Sequence, residues 1–148
     1  MKKKLMIIGP VLLLVALFGV KTFVLKPPPP DEKKLSAEPG LTYTMADPFV
    51  VNLSDAGSTP HFAKVGVALR FSKWSSSEII PAKADKPAEV EDGAELRDIV
   101  ISTLQSRTSA ELGTAAGRDA VKKAIVARVN KQTDYKIVDV YYTEFAVQ

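Results

Sequence analysis

The chain has 148 residues, with 20 Lys and Arg against 17 Asp and Glu, for a formal net charge of +3. That length holds one domain of ordinary size at most, once a targeting segment is set aside. It has no cysteine and a single histidine, His61, so it excludes a disulfide framework, a thiol nucleophile, Cys-ligated zinc and any multi-histidine metal site.

A basic balance taken alone would suggest polyanion binding. The charge is unevenly spread, however. Lys2, Lys3, Lys4, Lys21 and Lys26 fall in the first 26 residues, where there is no acid, and the remainder carries 15 basic against 17 acidic residues. A body with that balance has no basic stripe to neutralise phosphates, and no nucleic-acid partner is expected.

The first predicted element is a membrane span. Leu5 to Val20 is free of charge, and the apolar stretch extends to Leu25, interrupted only by Lys21. As a helix rising about 1.5 Å per residue it reaches roughly 30 Å, the thickness of a bilayer core. Leu5, Leu12, Leu13, Leu14, Leu17, Phe18, Phe23 and Leu25 are its anchoring side chains. Lys21, one turn from the end, can snorkel to the interface, and Pro10 is tolerated in such helices. A cleaved signal peptide is the competing reading, but no A-x-A-like site follows the run. Lys2, Lys3 and Lys4 outvote Lys21 and Lys26 under the positive-inside rule. Residues 1–4 are therefore expected as a cytoplasmic stub, 5–25 as the span, and everything after it on the far side of the cytoplasmic membrane, in the periplasm of a two-membrane bacterium.

Residues 26–40, KPPPPDEKKLSAEPG, read as a spacer that begins as a polyproline II rod. The folded body is expected over 41–148. Phe49 to Leu53 is a short β-rich run closed by the turn residues Ser54 to Ser58. From His61 to Phe71, Ala63, Val65, Val67, Leu69 and Phe71 alternate with other residues, which predicts a long half-buried strand and a hairpin with the first. Trp74 to Gly93 reads as a loop with one helical turn around Ser77 to Ile80. Asp92 and Glu95 have capping-box spacing before a helix with Leu96, Ile99, Val100, Thr103 and Leu104 on one stripe. Thr108 and Glu111 repeat that spacing ahead of a stop at Gly113. Thr114 caps a second helix to about Asn130, with Ala120, Val121, Ala124, Ile125 and Val129 inward. The closing run, Lys136 to Val147, is β-branched and aromatic without clean alternation, as for a central strand buried on both faces. The fold class is α+β: a three- or four-stranded, mainly antiparallel sheet packed by two or more helices.

Chemistry is scarce in this body. No phosphate loop, H-E-x-x-H, EF-hand or G-x-S-x-G pattern occurs, and no catalytic residue, metal ligand, cofactor or small-molecule substrate is expected. His61 opens a strand beside a turn, and a structural role is favoured over a catalytic base. Glu91, Asp92 and Glu95 are acidic together, but helix capping explains them. Arg118, Lys122, Lys123 and Arg128 could meet an acidic partner, and a solvated helix face is the plainer explanation. Trp74 is either a contact residue or a lid on the core. Ala116, Ala120, Ala124 and Ala127 permit close helix packing.

Several segments resemble the FliL family of flagellar basal-body-associated membrane proteins. Asp47-Pro48-Phe49-Val50-Val51-Asn52-Leu53 is similar to that family's P-F-x-V-N-L segment. Leu96-Arg97-Asp98-Ile99 is similar to its helix start, and Gly117-Arg118 with a helix ending at Asn130 to its G-K/R…R-x-N stretch. Val140-Tyr141-Tyr142-Thr143-Glu144-Phe145-Ala146-Val147-Gln148 is similar to its closing strand. The resemblance implies a non-enzymatic inner-membrane protein at the flagellar basal body. It further implies association with MotA/MotB-type stator units and support of stator function and torque for swimming or swarming. It also implies a periplasmic domain like the stomatin/prohibitin (SPFH) fold and a homo-oligomeric ring around the stator. Pro48, Phe49, Asn52, Trp74, Arg118, Lys122, Tyr142 and Phe145 are the expected partner or self-association residues, and Pro27 to Leu53 is expected to approach the stator. A membrane-anchored periplasmic scaffold or chaperone-like module unrelated to motility is the second reading.

Overall fold

The computed structural model describes residues 31–57, 59–79, 90–91 and 93–148. The expected membrane span, its flanking lysines and the expected cap Asp92 lie outside the described residues. Among those described, no helix is long and apolar enough to cross a membrane.

The chain folds as α1 (Glu32–Ala37), β1 (Pro39–Thr44), β2 (Phe49–Asn52), β3 (Phe62–Ser72), a 3-10 turn (Ser75–Glu78), α2 (Gly93–Gln105), α3 (Ser109–Leu112), α4 (Ala115–Gln132) and β4 (Ile137–Val147). This is the expected α+β class, with one four-stranded antiparallel sheet. β3 is its axis. β4 runs along one edge of β3 from Ala63 to Phe71. The other edge is shared by β2, which pairs Phe49 with Val65 and Asn52 with Phe62, and β1, which pairs Thr44 with Ala68 and Thr42 with Arg70. The expected β2–β3 hairpin is present.

Two burial expectations exchange places. β3, expected to be half-buried, is buried without a break from Val65 to Leu69, whereas β4, expected to be buried on both faces, has only Ile137 and Val140 buried. The reason lies in the outer-facing residues of β3. Gly66 and Ala68 are too small to reach solvent past neighbours that bridge above them, such as Lys64 paired with Glu144 at 2.6 Å and Arg70 bonded to the Tyr141 hydroxyl at 3.3 Å. β4 lacks alternation because two register shifts, between Gly66 and Val67 and between Arg70 and Phe71, interrupt its pairing. Each bulge resets which face the next residue takes.

The helices follow local rules more closely. α2 buries Leu96, Ile99, Val100, Thr103 and Leu104, the stripe its spacing predicts. Thr108 and Glu111 form the expected capping box: the Thr108 hydroxyl accepts from Glu111 N–H at 3.2 Å, and the Glu111 carboxylate accepts from Thr108 N–H at 2.9 Å. Thr114 caps α4 by accepting from Gly117 N–H at 3.0 Å, and α4 runs on to Gln132. Its buried stripe is Val121, Ile125 and Val129; Ala120 is exposed and Ala124 half-buried, since alanine reaches too short a distance to meet the sheet. The helical turn expected at Ser77 to Ile80 sits at Ser75–Glu78. Ile79 and Val90 both enter the core, and residues 80–89 of the expected loop lie outside the described residues.

Of the expected spacer over 26–40, residues 31–40 are described, and they hold α1 and the start of β1. The Asp31 carboxylate caps α1, and Leu35 and Glu38 carbonyls accept from Trp74 and Lys73 N–H at 3.2 and 2.8 Å. Pro39 and Gly40 already belong to β1. A six-residue helix has too little internal bonding to stand alone, so it exists here by docking at the exit of β3.

Gly66 is where β3 admits a bulge of β4. A Cβ there would collide with the Thr143 hydroxyl and come within 3.0 Å of the Glu144 backbone nitrogen. Gly66→Ala is expected to destabilise the domain by about 1–3 kcal/mol through overpacking. Denaturant unfolding followed through Trp74, the sole tryptophan, measures it, and an unchanged midpoint would contradict this account of the bulge.

Candidate functional site

The eight expected contact residues fall into three places. Arg118, Lys122, Tyr142 and Phe145 come together between α4 and β4. Tyr142 and Phe145 are three apart, which would put them on opposite faces of a regular strand. The register pairs Tyr142 with Val67 and Glu144 with Gly66, leaving Thr143 as the extra residue, so both rings point to the helical side. Their centroids are 4.9 Å apart, edge to face. The Arg118 guanidinium lies 5.6 Å from the Phe145 centroid and the Lys122 ammonium 5.2 Å from that of Tyr142. The Tyr142 hydroxyl donates to the Arg118 carbonyl at 3.0 Å. Burial pushes its pKa up to about 12 against the opposing charge of Arg118, with Asp119 adding to the rise. Tyr142 thus stays a neutral donor at any physiological pH.

Arg118 is also committed within the chain. Its guanidinium donates to the Leu112 and Gly113 carbonyls at 3.1 and 3.3 Å, closing the end of α3. Gly117 beside it has no room for a side chain, because a Cβ would run into the Glu111 carbonyl. The Gly-Arg pair is therefore the joint between α3 and α4.

Pro48, Phe49 and Asn52 lie on or beside β2. Phe49 is 2% exposed and belongs to the core, so it offers no surface to a partner; Pro48 and Asn52 are exposed. Arg97, off the buried stripe of α2, covers the Phe49 ring at 4.4 Å and donates to the Asp47 carbonyl at 3.3 Å. Trp74 is half-buried at the far end of β3, roughly 30 Å along the strand from the partner of Asn52. The serines after it are structural. The Ser75 hydroxyl accepts from Lys136 N–H at 2.8 Å, and that of Ser76 accepts from Leu41 N–H at 2.8 Å while donating to the Ser72 carbonyl at 2.7 Å.

Other residues that sequence reasoning passed over hold the body together. Arg128 donates to the Thr103 hydroxyl at 2.8 Å, joining α4 to α2, so it is not part of a solvated basic face. Two residues on, the Asn130 side-chain oxygen accepts from Ile137 N–H at 2.7 Å while its amide donates to the Ile137 carbonyl at 2.9 Å. That clamp starts β4. Asp55 accepts from the Ser109 N–H and hydroxyl, both at 2.8 Å, tying the β2–β3 loop to α3. Desolvation opposes the Asp55 charge, but Ser109's hydrogen bonds and the charge of His61 hold the carboxyl below its ordinary range.

Two shallow cavities lie among the described residues. One, about 220 Å³, is lined by Val50, Phe62, Ala63, Lys64, Ala146 and Gln148 on the sheet face away from the helices. Val50 there is 69% and Phe62 41% exposed. The other, about 250 Å³, is lined by Lys122, Lys123, Val126, Ala127, Val138 and Asp139 between α4 and β4. Glu91 and Glu95 are exposed, and no three acidic or histidine side chains gather as a metal site among the described residues.

The described body is thus a small α+β domain whose cations and aromatic rings are laid out as surfaces and joints. The family model for "Flagellar basal body-associated protein FliL" matches residues 42–148. A "Flagellar protein FliL" of Aquifex aeolicus (strain VF5) is 30% identical over 112 residues, which make up 75% of this chain and 63% of that relative, under two thirds of its length. The chain belongs to the FliL family of flagellar basal body-associated proteins, and membership supports an accessory role at the basal body.

Asn130→Ala leaves both backbone groups of Ile137 without partners, and a loss of about 1–3 kcal/mol is expected in denaturant unfolding. Asp55 makes a pH-dependent contribution. Because its folded pKa is depressed, its stabilisation is complete above the unfolded carboxyl value of about 3.9 and is lost as pH falls through the folded value. Asp55→Asn should be less stable than the parent at pH 7, with the gap closing below pH ~4. Unfolding midpoints measured from pH 7 to pH 3 test this, and a gap that stayed constant would contradict it.

Proposed function

We infer that this protein is a single-pass accessory of the flagellar motor, with its N-terminus in the cytoplasm and its body in the periplasm, working at the stator without enzymatic activity. The observation that carries this reading is the family match, which runs from Thr42 in β1 to Gln148. The basic, apolar head supports the membrane placement. In this proposal several copies form a ring around a stator unit and stabilise its active form, so that torque rises for swimming or swarming. A body of the SPFH kind would suit such a ring.

If the span ends at Leu25 and the body begins at Asp31, the tether is residues 26–30. At about 3.1 Å per residue in a polyproline II form, those five residues reach roughly 16 Å. Removing Pro27 to Gly40 would not isolate the spacer, because that deletion takes away α1 and the start of β1. Deleting Pro27 to Pro30 keeps the described body whole.

The test is a pull-down of the tagged full chain from membranes, paired with the Pro27–Pro30 deletion. Stator and basal-body subunits are expected in the eluate, and the deletion is expected to reduce swarm expansion to that of the null strain at unchanged protein level. An eluate of periplasmic proteins unrelated to the motor, with normal motility in a null strain, would favour the general scaffold or chaperone reading instead.

A further inference from the structure

β4 is eleven residues long and is paired along only one side among the described residues. Long unpaired edges template further strands, and proteins usually blunt them. Here the blunting is confined to one half. The Asp139 carboxylate accepts from the Val140 N–H at 2.8 Å, closing the edge near its start. At the other end, Phe62 and Gln148 exchange both backbone hydrogen bonds, at 2.8 and 2.9 Å. Alternation along the ladder from that pair turns the backbone groups of Val147 and Phe145 away from β3, toward the free edge. The one charged side chain in that half, Glu144, is paired with Lys64 over the sheet face and does not guard the edge.

The neighbourhood of this edge is positive. α4 runs antiparallel to β4, with Arg118 beside Phe145, Lys122 beside Tyr142, and Lys122 and Lys123 facing Val138 and Asp139 across the groove. α4 carries Arg118, Lys122, Lys123, Arg128 and Lys131 against Asp119 alone. None of these cations has an ion pair among the described residues, whose salt bridges are Lys64–Glu144, Lys73–Glu38 and Arg107–Glu111. The geometry points to an extended, acidic polypeptide segment of a partner protein, added as a fifth strand along Tyr142–Val147. Its backbone would bond to the outward groups of Phe145 and Val147. Its carboxylates would meet Lys122 beside Tyr142, with Lys123 and Arg118 adding to the local potential. Backbone pairing supplies affinity in such strand addition, while the charge row selects an acidic sequence. The inference does not rest on the motor reading, because its probe is synthetic.

The experiment titrates a fluorescent ten-residue peptide of alternating Glu or Asp with Val or Thr into the full chain in detergent micelles. Three further peptides serve as controls: one with Lys for each acid, one N-methylated at alternate amides, and one carrying carbonyl isotope labels for infrared spectroscopy. The acidic peptide should bind and show a strand band. The lysine peptide should bind at least tenfold more weakly, and the N-methylated one should not bind. Lys122→Glu with Lys123→Glu should weaken the acidic peptide by about tenfold. Val147→Pro should abolish its binding while the chain still melts cooperatively, since that N–H makes no ladder bond. Equal binding of the lysine or N-methylated peptide overturns the proposal. So does a dimer in sedimentation that Val147→Pro dissolves while peptides have no effect, which would make the edge a self-interface. Capture by vesicles of phosphatidylglycerol that depends on Lys122 and Lys123, with no peptide binding, also overturns it, assigning the cations to lipid.

Discussion

One extra residue in β4 governs how the helical side of this domain packs. Thr143 is inserted opposite the Gly66–Val67 step, and it can lie there because Gly66 has no side chain. Without the insertion, Tyr142 and Phe145 would face opposite sides of the sheet. With it, both rings pack under α4, Tyr142 bonds to the Arg118 carbonyl, and Arg118 and Lys122 sit over the rings. The contact of both rings with Arg118 and Lys122 follows from that step.

Helical features were legible in the sequence where the deciding contacts are local. The α2 stripe, the Thr108–Glu111 box and the Thr114 cap depend on residues within one or two turns, and spacing alone places them. The two long strands were legible as strands but not in their burial. Burial of β3 depends on what bridges over Gly66 and Ala68, and exposure of β4 depends on its lying at an edge. Neither is written in the composition of the strand itself. α1 was hidden for a related reason: six residues of mixed charge have no amphipathic pattern, and only docking against Lys73 and Trp74 fixes them.

Of the eight expected contact residues, four lie together between α4 and β4, and Phe49 is core. Its cover, Arg97, is separated from it by 48 positions, and no single-chain pattern joins them. The segments that carry the family resemblance coincide with such long-range joints. Asp47-Pro48-Phe49 meets Arg97, Gly117-Arg118 closes the α3–α4 corner, and Arg128 with Asn130 pins α4 to α2 and β4. These residues explain how the family's fold is held. They do not by themselves say what it touches.

That division bears on where function resides. A half-buried arginine that donates to two carbonyls is costly to divert to a partner, since leaving would strand buried acceptors. Arg118 and Arg128 are therefore poor candidates for transient contact despite their charge, although Arg118 still adds to the positive potential. Lys122 and Lys123 are held more lightly: Lys122 rests on an aromatic face, and Lys123 makes no hydrogen bond or ion pair among the described residues. Long lysine side chains beside an open strand edge can turn toward a new strand without breaking the domain's internal bonds. The cations able to change partners are thus those the fold can spare, and they line the only long strand edge that β3 leaves unpaired among the described residues.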